Sequence, residues 1–208
     1  MTSAGSVGHA AVAILDCGEG RYAWQRKTPG YPIASQVGCL CLFGGNREAA
    51  DCDARKTLER ELREELPSDL ACEAVQSLQP FSRFTIHCSA QVMAPRSEYT
   101  FICCVFRATL NGLSLDALGS GWADDRRTVQ VNEGSLEIHD LDTTLLSERF
   151  CFGYDRVFNH FLQEMHAKDG RYRLLSEPPI SGCPAIDVER VSPAVDLGQW
   201  ANGEETWA

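Results

Sequence analysis

Leu58, Leu62 and Leu66 recur every four residues inside Asp53–Leu66, a stretch of good helix formers that opens on an aspartate and stops at Pro67. That spacing stacks the three leucines in one row, so the stretch predicts an amphipathic helix with Asp53 as its N-cap. Such a helix needs an apolar surface to lie on, and the preceding sequence offers one. His9–Leu15 (HAAVAIL) is a short apolar run, Asp16–Gly20 (DCGEG) supplies turn residues, and Arg21–Arg26 (RYAWQR) alternates, a strand–turn–strand pattern. After a loop at Thr28–Ile33 with two prolines and a glycine, Val37–Phe43 predicts a buried strand stopped by Gly44-Gly45.

Downstream, Ala74–Ile86 and Tyr99–Leu110 read as strands around the polar connection Ala94–Ser97. Asn111–Val129, with three glycines, reads as a loop or lid, and Leu136–Leu141 as a short strand. Tyr154–Ala167 places Val157, Phe158, Phe161, Leu162 and Met165 at helical spacing, a second amphipathic helix. Beyond Gly170 four prolines punctuate a segment with little periodicity. The expectation is one α/β domain over residues 1–170, an α/β/α sandwich with a mixed β-sheet. A C-terminal extension over 171–208 follows, packed against the domain or partly disordered. A chain of 208 residues suits one domain with a proper core.

The net charge of −10 argues against sequence-independent nucleic-acid binding, which lives on released counterions, and against anionic membrane surfaces. If the substrate carries phosphates, a cation must stand between it and these carboxylates. The ten cysteines form no C-x-x-C pair, so a zinc ribbon is not expected. Several lie in apolar runs (GCLCLF, FICCVF) and read as small buried hydrophobes in a reducing compartment. With no positively charged leader and no apolar stretch of membrane-spanning length, the expected address is cytoplasmic.

The chemistry is concentrated in Arg60-Glu61-Leu62-Arg63-Glu64-Glu65. On a helix Glu61 and Glu65 stand one above the other beside the leucine row, with Glu64 to one side and Arg60 in i,i+4 reach of it. Like charges stacked in this way, close to a core, call for a cation, and hard ions such as Mg²⁺ or Mn²⁺ favour oxygen ligands of this kind. A charged helix face alone is more often plain solvated surface. The apolar strand and Gly-Gly turn just upstream weigh against that, since glycine lets backbone approach a ligand closely.

Taken together, Gly44-Gly45, the following loop and Arg60–Glu65 resemble the Nudix box, G-x5-E-x7-R-E-U-x-E-E-x-G-U, where U is a bulky aliphatic residue. The R-E-U-x-E-E core is complete, and the order of elements over residues 9–167 is similar more weakly. The loop carries one residue too many. Counted forward from Gly45 the motif's first glutamate falls on Asp51, and counted back from Arg60 it falls on Cys52, with Asp53 a poorer substitute. The final glycine and aliphatic positions are Pro67 and Ser68.

The resemblance implies an enzyme that hydrolyses a diphosphate bond in a nucleoside diphosphate linked to another moiety, using Mg²⁺ or Mn²⁺. Glu61, Glu64 and Glu65 would be metal ligands, one of them also a base for the attacking water. Arg60 would orient a glutamate, and Gly45, or the adjacent Gly44, would offer a backbone carbonyl. A further glutamate from a later loop is expected, Glu137 first and Glu133 second. Nucleotide sugars or ADP-ribose, nucleoside triphosphates and dinucleoside polyphosphates all stay open as substrates, and so does a homodimer. The rival expectation is a Nudix-like nucleotide-binding or regulatory module without turnover; a third is an unrelated α/β interaction protein with an acidic helix. The five histidines show no ligand spacing, although His139 sits close to Glu137. Trp24, Tyr31, Phe84 and Tyr99 are the aromatics that could flank a cleft, and Arg83 and Arg96 the arginines that could meet phosphate; for each, core or surface is the plainer reading.

Overall fold

The apolar run near the start of the chain becomes the strand around which the sheet is organised. In the computed structural model, which describes residues 7–94, 97–111, 128–131, 134–141, 148–166 and 186–192, β1 (Gly8–Asp16) pairs in parallel with β6 (Tyr99–Thr109) along its whole length. On its other side β1 is shared. It pairs with β2 (Arg21–Lys27) at Leu15 and Asp16, and with β4 (Phe43–Asn46) from Ala10 to Ala13. A strand enclosed in this way is buried on both faces, hence its near-continuous apolar sequence. Ala10, Val12 and Ile14 enter one core while Ala11, Ala13 and Leu15 enter the other.

The remaining strands are β3 (Leu40–Cys41), β5 (Gln79–Cys88), β7 (Thr128–Val131), β8 (Gly134–Asp140) and β9 (Ile186–Ser192). Among the described residues they complete a mixed nine-stranded sheet of order β7-β8-β2-β1-β6-β5-β9, with β3 branching from β2 and β4 from β1. Helices cover both faces. Leu58, Leu62 and Leu66 of the α1 region (α1, Ala54–Glu65) and Leu70, Ala71 and Ala74 of α2 (Ser68–Ser77) fill one core. Following the short α3 (Ala90–Met93), α4 (Tyr154–His166) fills the other with Val157, Phe158, Phe161 and Leu162. There Phe158 meets Tyr22 edge-on, with ring centroids 4.8 Å apart. The expected α/β architecture, a mixed sheet between helical layers, is the one observed. No helix among the described residues is long and apolar enough to cross a membrane.

Two local expectations change, and one element is added. Val37–Phe43 is not one strand, because β1 and β2 diverge and draw the chain into two short pairings, Leu40–Cys41 on β2 and Phe43–Asn46 on β1. Gly44-Gly45 therefore lies inside β4 and does not end a strand. Ala74–Ser77 is helical: Pro67 stops α1, and α2 starts at the next residue. Glycine is not needed at this junction, since Pro67, at the motif's glycine position, takes φ −51°, ψ 142°, outside the left-handed region. Finally, Ile186–Ser192 adds an antiparallel strand to the edge of β5.

Candidate functional site

Asp53 caps α1 as expected, its Oδ1 accepting the Lys56 N–H at 2.8 Å. Three turns on, the leucine row turns Glu65 inward, to 5% exposure. Its carboxylate accepts the Gly44 N–H at 2.8 Å and the Gln25 amide at 3.1 Å, and Lys27 Nζ stands 4.0 Å away. Burial pushes its pKa up to about 7; Lys27 and the Gly44 hydrogen bond oppose the rise, and the Glu61 charge adds to it.

Glu61, one turn earlier, lies over Gly45: a Cβ there would come within 2.5 Å of the Glu61 carboxyl. At Gly44 a Cβ would run into the Ala11 carbonyl, and φ is +128°. Gly44 is thus required by its φ and its close approach to a strand, while at Gly45 a side chain would push the Glu61 carboxylate aside. Glu61, Glu65, Gly44 and Gly45 line a pocket of about 750 Å³, a volume typical of small-molecule sites. Its charged wall holds four glutamates, Glu48, Glu61, Glu65 and Glu98, against Lys27 and Arg47. The lining also holds the aromatics Tyr31, Tyr99, Phe101, Phe152 and Tyr154, with Lys27 Nζ 4.7 Å from the Tyr31 ring centroid.

The irregular loop is tied to the helix. Arg60 donates to Asp51 Oδ2 at 3.0 Å, to the Asn46 carbonyl at 3.0 Å and to Glu61 at 2.9 Å. Asp51 is buried and also accepts the Glu48 N–H at 2.9 Å. The Arg60 hydrogen bond holds its carboxyl below the ordinary aspartate range. Despite the extra residue, Asp51 therefore grips Arg60, outside the pocket lining. Glu64 is half exposed and lies 3.4 Å from Arg60, also outside the lining.

Glu137 is not brought to this pocket. It pairs with Trp24 across β8 and β2, on the sheet face away from α1, because Gln25 and Lys27 point to Glu65 while Arg26 points to Glu137. Arg26 grips it with two hydrogen bonds, at 2.8 and 2.7 Å, and reaches Glu148 at 2.9 Å; His139 Nε2 lies 3.0 Å away. Burial pushes Glu137 up, but His139 and Arg26 outweigh it and hold the pKa near about 2. His139, too, is engaged here and not at the pocket. Glu133 and Arg96 lie outside the described residues.

The donors suit a hard divalent cation in kind: two carboxylates at a pocket, one of them buried beside the other's charge, next to a backbone with no side chain in the way. Among the described residues no three His, Cys, Asp or Glu side chains are grouped to hold a metal ion, as Glu64 is turned to Arg60. Of the four aromatics singled out in the sequence, Tyr31 and Tyr99 line the pocket, whereas Trp24 and Phe84 are fully buried. Lys27, Gln25 and Glu48 went unnoticed; the QRK end of β2, a polar cluster closing an apolar strand, was the available signal.

Neither a family model nor a curated protein sequence matches the chain. Solved structures do. The MutT protein of Methanosarcina mazei Go1 matches with a TM-score of 0.50 and 16% identity, over 76% of this chain and 95% of that one. A mutT/nudix family protein from Listeria innocua is similar over 77% of this chain and 97% of that one, at 17% identity and a TM-score of 0.45. At such identity the likeness speaks for the fold, and the former match carries it. With the mixed sheet, the flanking helices and a box-like helix behind a glycine pair, the chain has a Nudix-like fold.

Proposed function

We propose that the chain is a Mg²⁺- or Mn²⁺-dependent hydrolase that cleaves the diphosphate bond of a nucleoside diphosphate linked to another moiety. The observation that carries this reading is the stacking of Glu61 and Glu65 against Gly44-Gly45 at the pocket wall. Glu61, Glu65 and the Gly45 carbonyl would hold the ion, and Glu64 would join them by leaving Arg60. Bound there, the ion would neutralise diphosphate oxygens and supply the positive charge this acidic wall lacks. The chain's own groups do the rest. Arg60, anchored by Asp51 and Asn46, positions Glu61. A carboxylate of the stacked row takes the proton of the water that attacks phosphorus. Lys27 and Arg47 face the substrate's anionic part, and the aromatics of the lining offer flat surfaces to a base.

The test is a panel of nucleoside diphosphate compounds assayed with Mg²⁺ and with Mn²⁺. Release of a nucleoside monophosphate from one of them supports the hydrolase and names its substrate. The turn of Glu64 towards Arg60, at 3.4 Å, favours the second reading, a nucleotide-binding module, and saturable binding without turnover would establish that instead.

A further inference from the structure

A second cluster of reactive side chains lies outside the carboxylate row. Leu40 forms a parallel bridge with Phe150, and its N–H donates to the Arg149 carbonyl at 2.7 Å. Neighbours across such a bridge are separated by about the 4.8 Å interstrand spacing. In this parallel register Cys41 falls opposite Cys151 and Cys39 opposite Arg149, which puts Cys39 and Cys41 on the face of the pairing that carries Cys151. The thiols of Cys39 and Cys151 also donate to adjacent carbonyls of one turn, Ser35 at 3.7 Å and Gln36 at 3.9 Å. The Cys151 thiol is within hydrogen-bonding reach of both Cys39 and Cys41.

The three sulfurs are not equivalent. Cys39 is flanked by two guanidiniums fixed to its own loop: Arg26 Nη1 donates to the Gly38 carbonyl and Arg149 Nη2 to the Ser35 carbonyl, each at 2.8 Å. The hydrogen bond from Cys151 lowers the Cys39 pKa to about 7 against the effect of burial, with Arg149 and Arg26 helping. Burial pushes Cys151 far up, so it stays a thiol. Cys41 lines the pocket, which gives a small neutral oxidant a way to the cluster.

We propose that Cys39 and Cys151 form a reversible disulfide when the protein meets hydrogen peroxide. The Cys39 thiolate attacks one peroxide oxygen; the S–O bond forms, the O–O bond breaks, and the departing hydroxide takes up a proton to become water. The Cys151 sulfur then attacks Cys39 Sγ, forming S–S and breaking S–O, and its proton leaves with that hydroxide as a second water. Two thiols are oxidised and one peroxide is reduced to two waters. The bond would tie the loop before β3 to the 3₁₀ turn Cys151–Gly153, whose Phe152 lines the pocket together with Tyr154 just beyond it.

The proposal is independent of the hydrolase reading, because its test reads covalent bonds. The full chain is treated with dilute hydrogen peroxide, its free thiols are alkylated under denaturing conditions, and a chymotryptic digest, cut after Leu40 to separate Cys39 from Cys41, is mapped by mass spectrometry. The expected result is a Cys39–Cys151 cross-linked peptide that dithiothreitol abolishes and that Cys41→Ser still forms. Alkylation protected only at the exposed Cys52 and Cys72, a Cys151 link to Cys41 in place of Cys39, or no cross-link at all would overturn it. Mapping in the unaltered protein decides the matter even where a buried Cys→Ser change prevents folding.

Discussion

Glu65 and Glu137 are both buried, and both are held by side chains of β2, one on each face of the sheet. Glu137 receives a bidentate guanidinium and an imidazole, and its charge is overcompensated, with a pKa near about 2. Glu65 receives one backbone N–H, one amide and a lysine at the limit of ion-pair distance, and burial lifts it to about 7. Fully matched partners make a carboxylate a rivet. Underpaid charge at a pocket leaves it looking for a cation. Two carboxylates held by one strand, β2, thus differ in charge balance according to which of its side chains face them.

The sharpest way to break this contrast is activity. Glu65→Gln and Glu61→Gln are expected to lower metal-dependent turnover on the identified substrate by about 10²–10⁴-fold with the fold kept, whereas Glu137→Gln keeps most of it. Steady-state kinetics on the three proteins checks this, and equal losses at Glu65 and Glu137 would erase the distinction.

Stability should respond the other way round. Glu137→Ala leaves Arg26 and His139 without their shared acceptor and is expected to cost about 2–4 kcal/mol in urea denaturation. Since the folded pKa lies below the ordinary value, this contribution is complete above about pH 4.5 and fades as pH falls towards about 2. The gap between parent and variant should therefore close across that window.

For Glu65 the sign reverses. Its folded pKa is raised, so ionisation costs nothing below about pH 4.5, the cost grows up to about 7, and it is full beyond. In metal-free buffer Glu65→Gln is accordingly expected to be more stable than the parent at pH 8, by about 1–3 kcal/mol, and indistinguishable at pH 4. Thermal melts at the two pH values decide it. The smallest effect is reserved for the backbone: Gly45→Ala displaces the Glu61 carboxyl and should weaken Mn²⁺ binding about tenfold, as read by titration calorimetry, with little change in melting temperature.

How much of this was legible beforehand follows from range. The α1 leucines, the Asp53 cap and the Glu61/Glu65 row are set by spacing within one helix, and the apolar β1 run announces a strand buried on both sides. The α4 stripe is equally local. Glu137 lies away from the pocket because its side is decided by register with β2, a pairing over a hundred residues apart that no local pattern encodes. The split of Val37–Phe43 has the same origin, in the divergence of β1 from β2. Ala71 and Ala74 of α2 were overlooked since alanine marks a buried stripe faintly. Asp51 is the instructive case: the count alone left its role open, and only the Arg60 contact shows which carboxylate the loop turns inward.

The edge pairing of β9 with β5 also has a consequence for synthesis. Those strands are separated by on the order of a hundred residues, so at ~5–20 residues per second the outer backbone of β5 leaves the ribosome roughly 5–20 s before its partner is made. Until then a ten-residue strand with alternating buried positions offers unpaired N–H and C=O groups to any neighbouring chain. Nascent chains crowded on one messenger could meet at that edge, and translation speed over the intervening segment sets how long they can do so.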